Sequence, residues 1–102
     1  MGGHDNVMRG FDAFVPDGKI AYIHFRDVRG TRECFHECFI DEGQVDTYAV
    51  VQRLKQLGFD GFMIPDHVPA TVGDSGWHHR GRAHCVGFMQ AMIQAVDRQE
   101  AA

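Results

Sequence analysis

A surplus of basic charge is the first thing this sequence lacks. Ten lysines and arginines stand against 14 acidic residues, a formal charge of −4 with the signs interspersed. Nucleic acid and anionic membranes are held by positive fields, so neither partner has an electrostatic basis here. Long apolar runs are missing too, and nothing nears the roughly 20 residues of a membrane helix. The opening MGGHDNVMRGFDAF lacks the basic-then-apolar layout of a secretory signal, so a cytoplasmic chain is expected. Cysteine is scarce and odd in number: three residues in 102 cannot all pair within one chain. A reducing compartment leaves them as thiols. With no repeat and no low-complexity tract, residues 1–102 read as a single small unit.

Histidine, by contrast, is plentiful. Seven imidazoles in so short a chain favour metal binding or proton transfer. Residues 4–14 read as the end of a helix, closed by a Pro16-Asp17-Gly18 turn. Residues 19–26 form a dense apolar run, typical of a strand covered on both faces. Alternation puts Ile20, Tyr22, His24 and Arg26 on one face, with Ala21, Ile23 and Phe25 on the other.

A polar loop is expected over residues 27–44. Asp46 then caps a helix in which Val50, Leu54 and Leu57 recur at helical spacing, with Gly58 as its stop. A short second strand follows over 61–65, and then Asp66-His67. A glycine-rich loop leads to a last helix over about 81–98, with Val86, Met89, Ile93 and Val96 as its apolar stripe beside Phe88 and Met92. Two buried strands joined by a helix make a parallel βαβ unit, right-handed by rule. Two strands are not a complete sheet: both edges are left unpaired and the apolar faces cannot all be covered within the chain, so a piece of something larger or a subunit that needs partners is expected.

Four clusters could carry chemistry. His24 and Asp66 end the two strands, the end at which α/β folds bind ligands. Imidazole and carboxylate there could point at one divalent ion. The plainer alternative is a histidine bonded to a carbonyl and an aspartate capping the next turn. Arg26, on the face of His24, suits bidentate capture of a carboxylate, and equally a salt bridge. Cys34, His36 and Cys38 would share one face of an extended chain and could form a structural zinc module with His78 or His79. Lone thiols are the plainer account. GWHHRGRAH, residues 76–84, precedes a helix N-terminus that could take an anion, or is a solvated loop.

HFRDVRG at 24–30, FHE at 35–37, DEG at 41–43 and PDHVP at 65–69 together resemble mannonate dehydratase, of the xylose-isomerase-like barrel group. The resemblance runs over nearly the whole chain. It implies an α/β fold: about the last quarter of a (β/α)8 TIM barrel, contributing two parallel strands with three helices. A complete barrel takes about 250 residues, so the chain reads as a partial barrel domain cut on its N-terminal side.

The implied reaction is a lyase step in sugar-acid (glucuronate) catabolism, D-mannonate to 2-keto-3-deoxy-D-gluconate and water. It uses a divalent metal, Mn²⁺ ahead of Fe²⁺. The resemblance makes His24 and Asp66 metal ligands, His67 the acid/base residue and Arg26 the substrate-binding arginine. The family's other ligands, a His and a Cys, lie on strands this chain does not contain, and Cys34, Cys38 and Cys85 do not match that Cys. Trp77 stands where a proton-transferring tyrosine is expected, and an indole cannot replace a phenol in that role. Ile40 stands where many members carry a polar residue. The expectation is a fragment inactive alone that self-associates into a homo-oligomer. The alternatives are a non-catalytic metal- or sugar-acid-binding module and the zinc module.

Overall fold

The computed structural model describes residues 3–101; the outermost residues of the expected 1–102 unit lie outside the described residues. Helix α1 (Gly3–Phe14) turns Val7, Met8 and Phe11 inward and ends in a turn at which Gly18 takes φ 68°. Strand β1 (Tyr22–Phe25) follows. Helix α2 (Thr47–Gln56) starts where expected: the Asp46 carboxylate accepts the Ala49 N–H at 3.0 Å. That bond satisfies a donor the helix itself cannot. Gly58, at φ 76°, lets the chain leave α2 in the left-handed conformation that a side chain disfavours. Strand β4 (Phe62–Pro65) then pairs parallel with β1, Tyr22 opposite Phe62 and Phe25 opposite Pro65. Helix α3 (His79–Ala101) closes the chain.

The expected loop over 27–44 contains a second sheet. Strands β2 (Asp27–Gly30) and β3 (Phe35–Cys38) form an antiparallel hairpin, with Val28 opposite Glu37 and Arg29 opposite His36. Each strand is four residues long, and its exposed positions mix polar Arg29 and His36 with Gly30 and Phe35. Such a segment has no run of apolar alternation for a periodicity argument to find. The architecture is therefore α/β with three helices and two separate two-stranded sheets.

One core joins the parallel pair to the helices, while the buried Val28 and Cys38 of the hairpin lie outside it. Ile23, Phe25 and Met63 of the parallel pair pack with Val50, Val51 and Leu54 of α2 and Cys85, Met89, Met92 and Val96 of α3. The helices are also tied by polar bonds. Arg53 holds Asp12 with contacts of 2.6 and 2.7 Å, Lys55 pairs with Asp97, and the Tyr48 hydroxyl donates to Gln99 at 2.7 Å.

Two expectations need correcting here. β1 is covered on one face only: Tyr22 is 56% exposed, and Phe62 and Ile64 on the same face of β4 are 78% and 42% exposed. The buried stripe of α3 is Cys85–Met89–Met92–Val96, while Val86 and Ile93 face an open groove of about 610 Å³ between α2, β4 and α3. Helical periodicity locates an apolar arc, but which edge of the arc is buried depends on the neighbouring element. Among the described residues no helix is long and apolar enough to cross a membrane.

Candidate functional site

The parallel pair delivers its polar residues to one end. After Phe25 and Pro65 the chains diverge, joined last by the Asp66 N–H donating to the Phe25 carbonyl at 3.0 Å. That bond sets Asp66 level with the end of β1. His24 Nδ1 consequently stands 3.3 Å from Asp66 Oδ2. A carboxylate only accepts, so in this arrangement Nδ1–H donates. The alternative of a core histidine satisfied by a carbonyl does not hold, because His24 is exposed and its partner is the carboxylate.

His67 completes the cluster on the other side of Asp66. Its Nε2 lies 3.5 Å from Asp66 Oδ2 and its Nδ1 lies 3.4 Å from Glu37 Oε1. The backbone at His67 is left-handed, φ 51°, a conformation costly for a side-chain-bearing residue and found at sites where position matters more than local comfort. Arg26 is half-buried and ion-paired with Glu37. The four residues singled out from the sequence, His24, Arg26, Asp66 and His67, are thus brought together, and the structure adds a fifth, Glu37, from the hairpin. Glu37 lies in FHE, but nothing in a polar loop marks it as facing a strand end 29 residues away in sequence.

An open cleft of about 400 Å³ adjoins these groups, walled by Glu37, Asp66 and His67 on one side and by His78 and Arg82 on the other. Arg82 ties the start of α3 to the strand end: Nη1 donates to the Pro65 carbonyl at 3.4 Å and Nε to the Trp77 carbonyl at 3.0 Å. The larger groove under α3 is apolar and lies away from every residue of the cluster. Asp66 and His67 line the smaller cleft, whereas His24 and Arg26 line a neighbouring pocket of about 170 Å³ against α1 and α2.

Asp27, buried within HFRDVRG, is what fixes this geometry. Its carboxylate accepts N–H bonds from Val28 at 2.8 Å, Gln44 at 3.3 Å and Val45 at 3.0 Å, tying the far end of the hairpin loop to the residue after Arg26. Gly43 gives that carboxylate room, since a Cβ there would fall 2.1 Å from Asp27 Cγ.

The anion-binding reading of residues 76–84 is overturned. The N-terminus of α3 already has its anion: Asp74 accepts the N–H groups of Ser75, Arg80 and Gly81 at 2.8, 2.9 and 3.0 Å. Those bonds, led by the one from Arg80, hold its carboxyl down at about 2. His78 Nδ1–H donates to the Val68 carbonyl and His79 meets Ser75, so both are bonded locally.

The expected zinc grouping is not assembled among the described residues. Cys34 and His36 are exposed and Cys38 is buried, and burial first of all, with Asp27 and Glu42 adding to it, pushes the Cys38 thiol up. Among the described residues no three His, Cys, Asp or Glu side chains are disposed to hold a metal ion; His24 and Asp66 offer two ligands. Of the two positions that depart from the resemblance, Trp77 is 77% exposed, and Ile40, 4% exposed, belongs to the core.

These features define an α/β protein whose polar site lies where its parallel strands end. The class fits a comparison with known families. A family model for D-mannonate dehydratase (UxuA) matches residues 4–102, and the chain belongs to that family. It is 24% identical over 104 residues to the mannonate dehydratase of Lactococcus lactis subsp. cremoris (strain MG1363), covering 94% of this chain and 29% of that protein. It is 25% identical over 88 residues to the mannonate dehydratase of Oceanobacillus iheyensis, covering 78% of this chain and 25% of that protein. The chain therefore spans less than a third of the length of the curated relatives it matches.

Proposed function

We propose that this chain is the C-terminal section, about a quarter, of a (β/α)8-barrel mannonate dehydratase. On this reading it supplies half of a divalent-metal site and is inactive alone. Three features support it: family membership, the short span relative to its relatives, and a parallel pair whose inner face and outer edges stand open. In a closed barrel that face, Tyr22, His24, Phe62 and Ile64, points into the interior, and the site sits at the carboxyl end of the strands.

The observation that carries the metal reading is the His24–Asp66 pair. Adjacent ligands of one ion, at bonds of about 2.1 Å and angles near 100°, stand about 3.2 Å apart. His24 Nδ1 and Asp66 Oδ2 stand 3.3 Å apart. The two atoms can share a proton or flank a cation, imidazole and carboxylate being ordinary ligands of divalent metals, and the family resemblance puts Mn²⁺ ahead of Fe²⁺. A bound divalent ion supplies Lewis-acid stabilisation of charge on the substrate oxygens.

The chain's own residues do the rest. Arg26 carries five N–H donors, of which Glu37 engages Nη2, and the remaining fork pairs with the sugar acid's carboxylate. His67 moves the proton of C2, the carbon next to that carboxylate. The 3-hydroxyl leaves with a proton as water, and the enol left behind becomes the 2-keto acid. Among the described residues no tyrosine lines the cleft, so on this reading a tyrosine acting as the acid that helps the hydroxyl leave comes from outside this chain. Exposed Trp77 favours, as a second reading, a non-catalytic module that still binds a metal or a sugar acid.

The test has two arms. Mn²⁺ titrated into the chain is expected to bind weakly and to lose that binding in His24→Ala and in Asp66→Ala; binding unchanged in both overturns the metal reading. The chain alone is expected not to dehydrate D-mannonate. Co-expression with the part of the Lactococcus relative that precedes the matched region is expected to restore turnover, which His67→Gln abolishes. Turnover that survives His67→Gln overturns the catalytic assignment, while restored metal binding without turnover selects the non-catalytic module.

A further inference from the structure

We propose that Arg82 is a second substrate-binding arginine, meeting the sugar acid's carboxylate from the wall of the cleft opposite His67. The inference rests on the reading above for the substrate and for the role of His67. Among the described residues three arginines are half-buried, Arg26, Arg53 and Arg82. Arg26 is ion-paired with Glu37 and Arg53 with Asp12. Arg82 has no acidic partner among the described residues, and its bonds go to two neutral carbonyls, those of Trp77 and Pro65.

Those carbonyls fix the guanidinium without neutralising it. Nε donates to Trp77 at 3.0 Å and Nη1 to Pro65 at 3.4 Å, which leaves both N–H groups of Nη2 and one of Nη1 unspent. Donors of a charged guanidinium make their strongest bonds to carboxylate oxygens. Drawing such a charge partly out of water without a counter-ion is unfavourable, and a bound anion offsets that cost. Position points the same way. Arg82 lines the cleft that Asp66 and His67 line, whereas Arg26 lines the neighbouring pocket. Glu37 already offsets the charge of Arg26, and the cleft also holds the carboxylate of Asp66. An anion enters such a place only against a further cation, and Arg82 supplies it. A carboxylate held there leaves C2, the next carbon, towards the wall that carries His67.

The test compares D-mannonate with D-mannonamide, which keeps every hydroxyl and loses only the charge. Each is titrated into the metal-free, ¹⁵N-labelled chain and followed by NMR. The Arg82 Nε–H resonance of the wild-type chain is expected to move with mannonate. Mannonate is expected to bind ~tenfold more tightly than the amide, the scale of one charge-assisted bond. Arg82→Gln is expected to close most of that gap by weakening mannonate alone, whereas loss of a merely structural arginine weakens both ligands alike. Arg82→Lys keeps a charge and is expected to retain part of the preference. An Arg82 resonance that mannonate does not move overturns the proposal, whether or not the variants fold. So does a preference that survives intact in folded Arg82→Gln. If that preference instead vanishes in Arg26→Gln, Arg26 holds the carboxylate alone and the family reading stands, so the two failures are distinguishable.

Discussion

At the residue scale, the motif HFRDVRG divides its labour. His24 and Arg26 face the site, while Asp27 turns inward and is 4% exposed. Three backbone N–H groups donate to its carboxylate, that of Gln44 also reaching the Val28 carbonyl. Asp27→Ala is expected to cost about 1–3 kcal/mol by chemical denaturation, because buried and half-buried donors lose their acceptor. Gly43→Ala should also destabilise, since its Cβ would meet that carboxylate. The double variant should cost less than the sum, because removing the carboxylate removes the clash. His67 separates stability from chemistry. Asparagine tolerates its left-handed backbone, so His67→Asn should leave the denaturation midpoint nearly unchanged, whereas His67→Val should cost about 1–2 kcal/mol. Equal losses in the two variants would show that backbone strain at this position does not matter.

Element boundaries show where pattern alone sufficed. Asp46 and Gly58 bracket α2 as read from the sequence, because a cap acts through its own side chain and a left-handed stop through its own missing Cβ. Both signals are local. The start of α3 was harder to read: its cap is Asp74, five residues before the first helical residue, reaching back over a loop. Histidines and arginines at 78–82 drew attention to an anion site that this carboxylate already fills. Its pKa is depressed, from an ordinary 3.8 to about 2, so the stabilisation it gives α3 is complete above about pH 4. It is lost as the pH falls through 3.8 toward 2, where the folded state too is protonated. Helix content followed by circular dichroism should decline through this window, and Asp74→Asn should remove that part of the decline. The hairpin escaped sequence reading for a different reason: its strands owe their pairing to Asp27 and to each other, not to an alternating apolar face.

At the scale of the whole molecule, the inner face of the parallel pair is the outstanding feature. Tyr22, Phe62 and Ile64 stand exposed on it, and among the described residues neither β1 nor β4 has a second strand neighbour. Open apolar sheets recruit partners. The isolated chain is expected to self-associate, with a mass by light scattering that rises with concentration, and Phe62→Lys should shift it toward monomer. A compact wild-type monomer at all concentrations would contradict this. What the sequence by itself determined was the order of helices and parallel strands, the caps of α2 and the family, together with the motifs that hold His24, Arg26, Asp66 and His67, since each is a local pattern. Only the tertiary structure decided that His24 and Asp66 stand 3.3 Å apart, that Glu37 joins them from a hairpin, and that one sheet face lies bare. Those are relations between residues distant along the chain, set by strand register and by a buried carboxylate, and no local pattern encodes them.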